Sequence, residues 1–164
     1  MAKHKKDKNK TNVMRILEQA DIPYTPHEYE HEEGAVDGVT VANRLGQNPD
    51  HVFKTLVCHG HSGDHAVFVI PVAKELDLKK AAKAAGEKSV EMIPVKEINK
   101  VTGYIRGGCS PVGMKKPFKT VFDKSAEAIP VIIVSAGKIG YQVELEPRAL
   151  IDFVGGITAE ITKA

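Results

Sequence analysis

The stretch GGCSPVGMKK, residues 107–116, gathers groups that could take part in catalysis or bind an anion. It contains three glycines, one cysteine, one serine and two lysines. Such a stretch is compatible with a phosphate-binding loop, with a nucleophile held on a sharp turn, or with a structural turn beside solvated charges. The spacing of its residues tests the first two possibilities.

A Walker-type phosphate loop requires the pattern G-x-x-x-x-G-K-[ST] between a strand and a helix. Gly108 and Gly113 have the right spacing, but Met114 follows where the lysine should stand. No Ser or Thr comes directly after Lys115, so the hydroxyl that would bind Mg²⁺ is also missing. The pattern therefore argues against a nucleotide-hydrolysing loop.

A protein nucleophile in this stretch is also poorly supported. A G-x-S-x-G elbow uses the backbone N–H after the serine as an oxyanion donor. The residue after Ser110 is Pro111, which has no N–H. Cys109 would need a neighbouring base or a positive field to lower the pKa of its thiol. Because the sequence places no histidine beside it, we favour a small buried cysteine.

The backbone of the loop offers a different chemistry. Gly107 and Gly108 let another molecule approach the chain closely, and successive N–H groups can cradle an anion or a developing oxyanion. Residues 104–124 carry five basic residues and one aspartate. That local charge favours a ligand with phosphate groups, and a structural turn beside solvated lysines is the alternative.

Lys54 stands in an apolar segment, HVFKTLV, that has the composition of a buried strand. Such a lysine either snorkels at the edge of a sheet or points into a pocket and holds a negative group. Spacing alone leaves both possibilities open. The histidines of CHGHSGDH, residues 58–65, match no standard zinc spacing and mark a hairpin tip. We therefore predict no metal site and no cofactor.

Length and composition are typical of one globular domain. The chain has 164 residues, of which 42% are hydrophobic and 27% are charged. The N-terminus lacks the pattern of a secretory signal, no apolar run is long enough to cross a bilayer, and two cysteines suggest no disulfide framework. We expect a cytoplasmic protein without membrane contact.

Positive charge is concentrated at the N-terminus. The first ten residues carry five lysines and one aspartate, so with an overall net charge of +2 the remaining residues sum to −2. We expect residues 1–10 to form a Lys-rich, disordered arm and residues 11–164 to form the functional domain. A net acidic body is unsuited to wrapping a long nucleic acid, and we predict no DNA binding.

The hydrophobic pattern predicts helices and strands in irregular order. Helices are predicted at residues 12–20, 40–46, 77–86, 94–103 and 147–155. Strands are predicted at residues 24–31, 51–58, 65–72, 103–108, 119–123, 130–135 and 141–146. Because βαβ units do not alternate regularly, we expect a single compact α+β domain with a mixed sheet or open barrel flanked by helices.

Four segments together resemble the YbaK/EbsC family: VFKTL, PVAKELDLKKAAKAAGEKSVEM, TGYIRGGCSPVGMKK and VSAGKIG. Members of this family are bacterial aminoacyl-tRNA deacylases related to the editing domain of prolyl-tRNA synthetase. The resemblance runs in order from about residue 12 to about residue 160. It implies one mixed α/β domain that deacylates Cys-tRNA(Pro) in trans, in a complex with tRNA(Pro) and prolyl-tRNA synthetase. Whether Cys-tRNA(Cys) is also a substrate stays open.

The resemblance also implies roles for individual residues. Lys54 matches the essential lysine that holds the phosphate or ribose of the terminal adenosine. Gly107 and Gly108 match the loop whose backbone faces the scissile carbonyl. The residues expected to bind substrate are Tyr29, Thr55, Ser110, Pro111, Gly113, Ser135 and Gln142. Gln142 departs from the family pattern, because some members carry an aspartate at this position.

In this family the thiol of the substrate cysteine is held to attack its own ester carbonyl and release a cyclic thiolactone. A free thiol has a pKa of about 8.5, so a small fraction is thiolate at neutral pH. Intramolecular attack also gains from enforced proximity. Two alternatives remain at this point: a non-catalytic module that binds aminoacyl-tRNA or a nucleotide, and a deacylase for another small amino acid such as alanine.

Overall fold

The computed structural model describes residues 10–30 and 36–164. Within these ranges, eight strands form a three-stranded sheet and a five-stranded sheet, and five α-helices pack around them. The α+β class and the mixed sheet expected from the sequence are confirmed. Most of the predicted N-terminal arm lies outside the described residues. Lys10, at its end, forms an ion pair with Glu18 at 2.9 Å.

The α-helices are numbered in chain order: α1 (Asn12–Gln19), α2 (Gly38–Arg44), α3 (Leu78–Ala85), α4 (Ile98–Thr102) and α5 (Pro147–Phe153). Their ends follow local capping. The Thr11 hydroxyl accepts a hydrogen bond from the Met14 N–H at 3.3 Å at the start of α1. Asp77 caps the start of α3, and Gly86 ends that helix at a φ of +72°. All five predicted helices are therefore confirmed.

Two helix boundaries differ from the prediction. Helix α2 begins before Thr40, because the carboxylate of Asp37 accepts a hydrogen bond from the Thr40 N–H and acts as the cap. Helix α4 is short, because the first part of the predicted segment forms a 3₁₀ turn, Val95–Glu97. A second 3₁₀ turn spans Lys124–Ala128.

The strands are β1 (Thr25–Glu28), β2 (Phe53–Gly60), β3 (His65–Pro71), β4 (Val90–Met92), β5 (Lys119–Asp123), β6 (Ile132–Ser135), β7 (Tyr141–Leu145) and β8 (Ile157–Ala159). The small sheet is antiparallel in the order β1-β7-β6. The large sheet has the order β4-β2-β3-β5-β8, with parallel pairing of β3 to β5 and of β5 to β8. Pro26 lies on edge strand β1, where its missing N–H is tolerated.

The strand predicted over residues 103–108 is wrong. Gly103 ends α4 at a φ of +87°. The Gly108 N–H then donates to the Ile105 carbonyl at 2.9 Å, across a turn in which Gly107 has a φ of +85°. Positive φ at the third position of such a turn favours glycine and interrupts an extended strand. The three-residue strands β4 and β8 were not predicted, since each is too short to show an alternating pattern.

Successive side chains of the large sheet enter two different cores. Val67 and Val69 of β3 pack in the main core, which also contains Leu17 of α1 and Leu150 of α5. The alternate residues Phe68 and Ile70 pack in a second core beneath Ala81 and Ala82 of α3. None of the helices in the described ranges has the length and apolar content that a bilayer span requires.

The two sheets meet at the start of β2. Val52 pairs in parallel with Ile133, and the Ile133 N–H donates to the His51 carbonyl at 2.8 Å. Beyond this bridge, in the described structure, residues 53–56 of β2 pair with β3 alone, because β4 pairs with β2 only from Cys58 to Gly60. One edge of β2 is therefore uncovered where β2 and β6 separate.

Tyr104 anchors the loop that follows α4. Its hydroxyl donates to the Val112 carbonyl, and burial raises its pKa to about 12, so the phenol keeps its proton. Its ring lies so close to Gly137 that a Cβ at this glycine would be 2.9 Å from Tyr104 Cε1 and 2.9 Å from Val13 Cγ2. The loop, helix α1 and the segment after β6 are thus packed together.

This packing predicts a large cost for Gly137→Ala. Gly137 has a φ of +90°, whereas Gly46 has a φ of +66° and open space, with no atom within 4 Å of the place that a Cβ would take. Gly46→Ala should lower the free energy of unfolding by about 1 kcal/mol, from left-handed strain alone. Gly137→Ala should lower it by about 2 to 4 kcal/mol, because overlap with Tyr104 and Val13 is added. Urea denaturation measures both values, and equal losses would contradict the packing described.

Candidate active site

A cavity of about 750 Å³ opens where β2 and β6 separate. One wall consists of residues 52–57, which contain the uncovered edge of β2 and include Lys54 and Thr55. Ser135 of β6 and Gln142 of β7 line the cavity as well, and these two residues pair across the small sheet. The volume lies within the range of sites that bind small ligands.

Three further segments contribute to the lining. The N-terminal end of α2 contributes Asp37 and Gly38, and the loop after α4 contributes Arg106, Gly107 and Cys109. An apolar wall comes from the end of β4 and the turn into α4, and its members are Met92, Ile93, Val95 and Ile98. The site therefore combines an apolar wall with a few polar groups, the arrangement expected of a pocket that fixes the orientation of its ligand.

The structure brings together six of the ten residues predicted for the site. Those that line the cavity are Tyr29, Lys54, Thr55, Gly107, Ser135 and Gln142. Gly108, Ser110, Pro111 and Gly113 lie outside the lining. Ser110 is fully buried, and its Oγ accepts a hydrogen bond from the Val112 N–H at 3.2 Å. These four residues shape the loop that carries Gly107, and their direct contact with a substrate stays a prediction.

Lys54 is a partly buried cation in the wall of the cavity. Burial lowers the pKa of its amino group, and the carboxylate of Glu75 opposes this shift. Partial desolvation disfavours the charged form. A negative group entering the cavity would compensate for that loss, so Lys54 is suited to binding an anionic or strongly polar part of a ligand.

Two amide side chains form a neutral polar pair beside the cavity. Gln142 is only 6% exposed, and its Oε1 accepts a hydrogen bond from Gln47 Nε2 at 2.9 Å. Among the described residues, the Gln47 Oε1 and the buried Thr55 Oγ1 have no hydrogen-bond partner. Because an unpaired buried polar atom is costly, Thr55 Oγ1 is a candidate contact for a ligand in the cavity.

The glycine loop has fewer free donors than its sequence suggests. The Gly108 N–H is already donated to the Ile105 carbonyl at 2.9 Å. Gly108 also packs tightly, since a Cβ there would lie 3.2 Å from the Ile139 nitrogen. Among the described residues, nothing accepts the N–H of Gly107 or of Cys109. These two N–H groups are therefore the candidate oxyanion donors of the loop.

Two potentially reactive side chains in the lining are held in unreactive states. Burial raises the pKa of the Cys109 thiol to about 11, so it is protonated at neutral pH. Asp37 accepts hydrogen bonds from the hydroxyl and from the backbone N–H of Thr40, which hold the pKa of its carboxyl below the usual range. A protonated thiol is a poor nucleophile, and a stabilised carboxylate is a weak base.

Sequence reasoning missed several residues of the lining. Gly38 and Val41 belong to α2 and Asp37 caps it, and the N-terminus of this helix was predicted too late in the chain. The Asp-x-x-Thr spacing of Asp37 and Thr40 was the signal for that cap. No group of three or more His, Cys, Asp or Glu side chains that could hold a metal ion occurs within the described ranges.

The chain is similar to proteins that edit aminoacyl-tRNA. The family model of the aminoacyl-tRNA editing domain matches residues 32–153. A protein of Enterococcus faecalis, named as a candidate Cys-tRNA(Pro)/Cys-tRNA(Cys) deacylase, EbsC, is 49% identical over 99% of this chain and 98% of its own length. This similarity confirms the resemblance noted in the sequence.

Two solved structures share the fold. A hypothetical protein, APE2540, has a TM-score of 0.83 at 22% identity, covering 93% of this chain and 100% of its own. A protein described as a candidate trans-editing enzyme for prolyl-tRNA synthetase has a TM-score of 0.79 at 22% identity, covering 93% of this chain and 95% of its own. Fold, sequence and cavity agree, and the chain belongs to the aminoacyl-tRNA editing domain family.

Proposed function

We propose that this protein is a trans-acting editing enzyme that deacylates Cys-tRNA(Pro) in the cytoplasm. Membership of the editing domain family and the name of the relative that is 49% identical support this activity. The observation that carries it is the meeting of Lys54, Thr55 and the Gly107 backbone at one cavity of suitable size. The relative's name also includes Cys-tRNA(Cys), which we propose as a second substrate to test.

Lys54 and the loop would hold opposite parts of the aminoacyl-adenosine end. The ammonium group of Lys54 would bind the phosphate or ribose of the terminal nucleotide. The N–H groups of Gly107 and Cys109 would donate to the carbonyl oxygen of the ester as it gains negative charge. The apolar wall that includes Val95 and Ile98 would pack against the uncharged parts of the substrate.

The reacting group would come from the substrate. The cysteine thiol loses a proton to solvent, and the thiolate attacks the ester carbonyl carbon to form a tetrahedral intermediate. The bond from that carbon to the ribose oxygen then breaks, and the ribose oxygen takes up a proton. The products are tRNA with a free ribose hydroxyl and a four-membered cysteine thiolactone, which water opens to cysteine. Held in one pocket, thiolate and carbonyl react with a large proximity advantage.

This chemistry makes no demand on a protein nucleophile. Burial raises the pKa of the Cys109 thiol. Ser110 is fully buried in the loop, and the carboxylate of Asp37 caps α2. The side chain of the bound amino acid would then decide the outcome. A serine hydroxyl is a far weaker acid than a thiol, and neither alanine nor proline carries a side-chain nucleophile.

Prolyl-tRNA synthetase is the proposed partner, because a synthetase that accepts cysteine produces this substrate. Capture of the product before it leaves the synthetase would raise the local concentration of the substrate at the cavity. Co-purification of the two proteins with tRNA(Pro), compared with either protein alone, tests the complex.

The activity predicts a defined substrate pattern. The purified protein, with a metal chelator present, should release labelled cysteine from Cys-tRNA(Pro) and leave Ser-, Ala- and Pro-tRNA(Pro) charged. Release of alanine or serine from tRNA(Pro) would be compatible with the proposed site but would require a mechanism without the substrate thiol. Loss of no amino acid, with tRNA or adenosine still bound, would favour a binding module over an enzyme.

Lys54→Ala should lower kcat/KM for Cys-tRNA(Pro) by about 100-fold or more, because the contact that orients the ester end would be lost. Lys83→Ala is the matched control, since it removes an exposed lysine from α3, outside the cavity lining. The control should retain wild-type activity. A Lys54→Ala variant with the activity of Lys83→Ala would contradict the role assigned to Lys54.

Cys109→Ala should retain deacylation within about threefold, because a thiol of pKa about 11 is not the nucleophile. Only its N–H would be used, and alanine keeps that group. Alkylation of Cys109 by iodoacetamide should be slow at pH 7.5 and accelerate as pH rises toward 11. An inactive Cys109→Ala variant that folds normally would restore the hypothesis of a protein nucleophile.

A further inference from the structure

Several basic side chains belong to, or contact, the elements that line the cavity. Lys115 Nζ donates to the Lys100 carbonyl at 3.4 Å, which places the loop lysine against α4. Lys96 belongs to the 3₁₀ turn that contains Val95, a lining residue. All three lysines are exposed. They therefore present their charges to solvent beside the apolar wall.

Two more basic residues belong to the loop that contains Gly107 and to the segment after β6. Arg106 lines the cavity, and Gly108 packs against the backbone of Lys138 and Ile139. Lys138 Nζ lies 5.5 Å from the centre of the ring of Tyr141, another lining residue. We call the exposed set Lys96, Lys100, Arg106, Lys115 and Lys138 the basic rim.

The rim differs from the basic stretch of the sequence. Lys119 Nζ donates to the Ala85 carbonyl at 3.0 Å, so this lysine is turned toward the end of α3. Lys124 begins the 3₁₀ turn beyond β5, outside the cavity lining. Of the five basic residues in 104–124, the rim therefore keeps Arg106 and Lys115, and it adds Lys96, Lys100 and Lys138 from other segments.

Exposed apolar side chains lie beside the rim. Of the six large apolar side chains that are exposed in the described ranges, Met92, Val95 and Ile105 are 47%, 55% and 54% exposed. Met92 and Val95 line the cavity, and Ile105 directly precedes Arg106. Exposed apolar groups beside exposed cations differ from an ordinary solvated face and can mark an interaction surface.

We propose that the basic rim and these three apolar side chains bind the single-stranded 3′ end of tRNA, at the nucleotides that precede the terminal adenosine. The inference rests on the proposed function, which places the terminal adenosine in the cavity. Lysine and arginine neutralise backbone phosphates. Exposed aliphatic side chains can pack against the faces of unstacked bases, because this contact removes apolar surface from water.

Charge pairing distinguishes the rim from Lys80 and Lys163 near α3, although Lys79 and Lys83 of that helix also form no ion pair among the described residues. Lys80 and Lys163, near α3, form ion pairs with Glu160 at 3.2 Å and with Glu75 at 3.3 Å. Among the described residues, the members of the rim form no ion pair, and Glu97 is the acidic residue within the 3₁₀ turn. Cations without carboxylate partners are the more available to phosphate.

A triple variant with a matched control tests the surface. The rim variant is Lys96→Gln, Lys100→Gln and Lys115→Gln, three residues outside the cavity lining. The control variant is Lys79→Gln, Lys83→Gln and Lys124→Gln, which makes the same change in net charge at exposed positions elsewhere. Fluorescence anisotropy measures binding to uncharged tRNA(Pro) and to the same tRNA without its last three nucleotides, over a series of salt concentrations.

The wild-type protein and the control variant should bind intact tRNA at least about tenfold more tightly than truncated tRNA. The rim variant should lose most of this difference and keep only the part that comes from the terminal adenosine in the cavity. The slope of its plot of log affinity against log salt concentration should be smaller in magnitude by about 2, because three phosphate contacts are lost and each contributes about 0.7 to the slope. Equal behaviour of the rim and control variants would overturn the inference. So would a rim variant that binds tRNA normally and fails to bind prolyl-tRNA synthetase.

These measurements separate the inference from the proposed function. Binding to the 3′ end is measured without any deacylation. If the rim variant loses the preference for intact tRNA while the wild-type protein releases no cysteine, the tRNA-binding surface is supported and the deacylase activity is contradicted. If the rim and control variants release cysteine from Cys-tRNA(Pro) equally and bind tRNA equally, the deacylase activity is supported and the proposed tRNA-binding surface is contradicted.

Discussion

The parallel bridge between Val52 and Ile133 determines where the two sheets part, and the cavity depends on that point. On one side of it, the hydrogen bond from the Ile133 N–H to the His51 carbonyl holds β6 against the start of β2. On the other side, β4 is only three residues long and leaves the edge of residues 53–56 uncovered. An uncovered strand edge is usually a liability. Here it forms a wall of the cavity and carries Lys54.

The chemistry of the site follows from how its polar groups are held. Lys54 is partly desolvated, Thr55 Oγ1 is buried without a partner among the described residues, and the N–H of Gly107 is free to donate. Groups of this kind orient a substrate and stabilise charge as it develops. They provide no strong nucleophile, and the proposed mechanism obtains one from the thiol of the bound cysteine. Specificity for cysteine would then arise from the reactivity of its thiol as well as from the shape of the cavity.

Local signals in the sequence predicted much of the fold. The cap at Asp77 and the glycine at 86 bounded α3, and Pro26 correctly indicated an edge strand. The segment 103–108 was mistaken for a strand because its β-forming residues lie between glycines whose positive φ values create turns. A turn of that kind depends on backbone angles that the residue types permit but do not require.

The candidate site was predictable only in part, for reasons of tertiary structure. Whether Lys54 would snorkel or line a pocket depended on the length of β4, which no local pattern revealed. The donor role expected of Gly108 depended on a hydrogen bond to Ile105 that closes the turn. The resemblance to a known family supplied Tyr29, Ser135 and Gln142, which lie far apart in the chain and meet at the cavity.

The most direct test of substrate-assisted deacylation is a comparison of Cys-tRNA(Pro) with S-methylcysteinyl-tRNA(Pro) under single-turnover conditions. The methyl group removes the thiol while leaving the ester and the tRNA unchanged. The account predicts rapid loss of cysteine, with the thiolactone trapped as an early product, and retention of S-methylcysteine at the uncatalysed rate. Equal rates of loss from the two substrates would contradict it and would require a nucleophile or an activated water supplied by the protein.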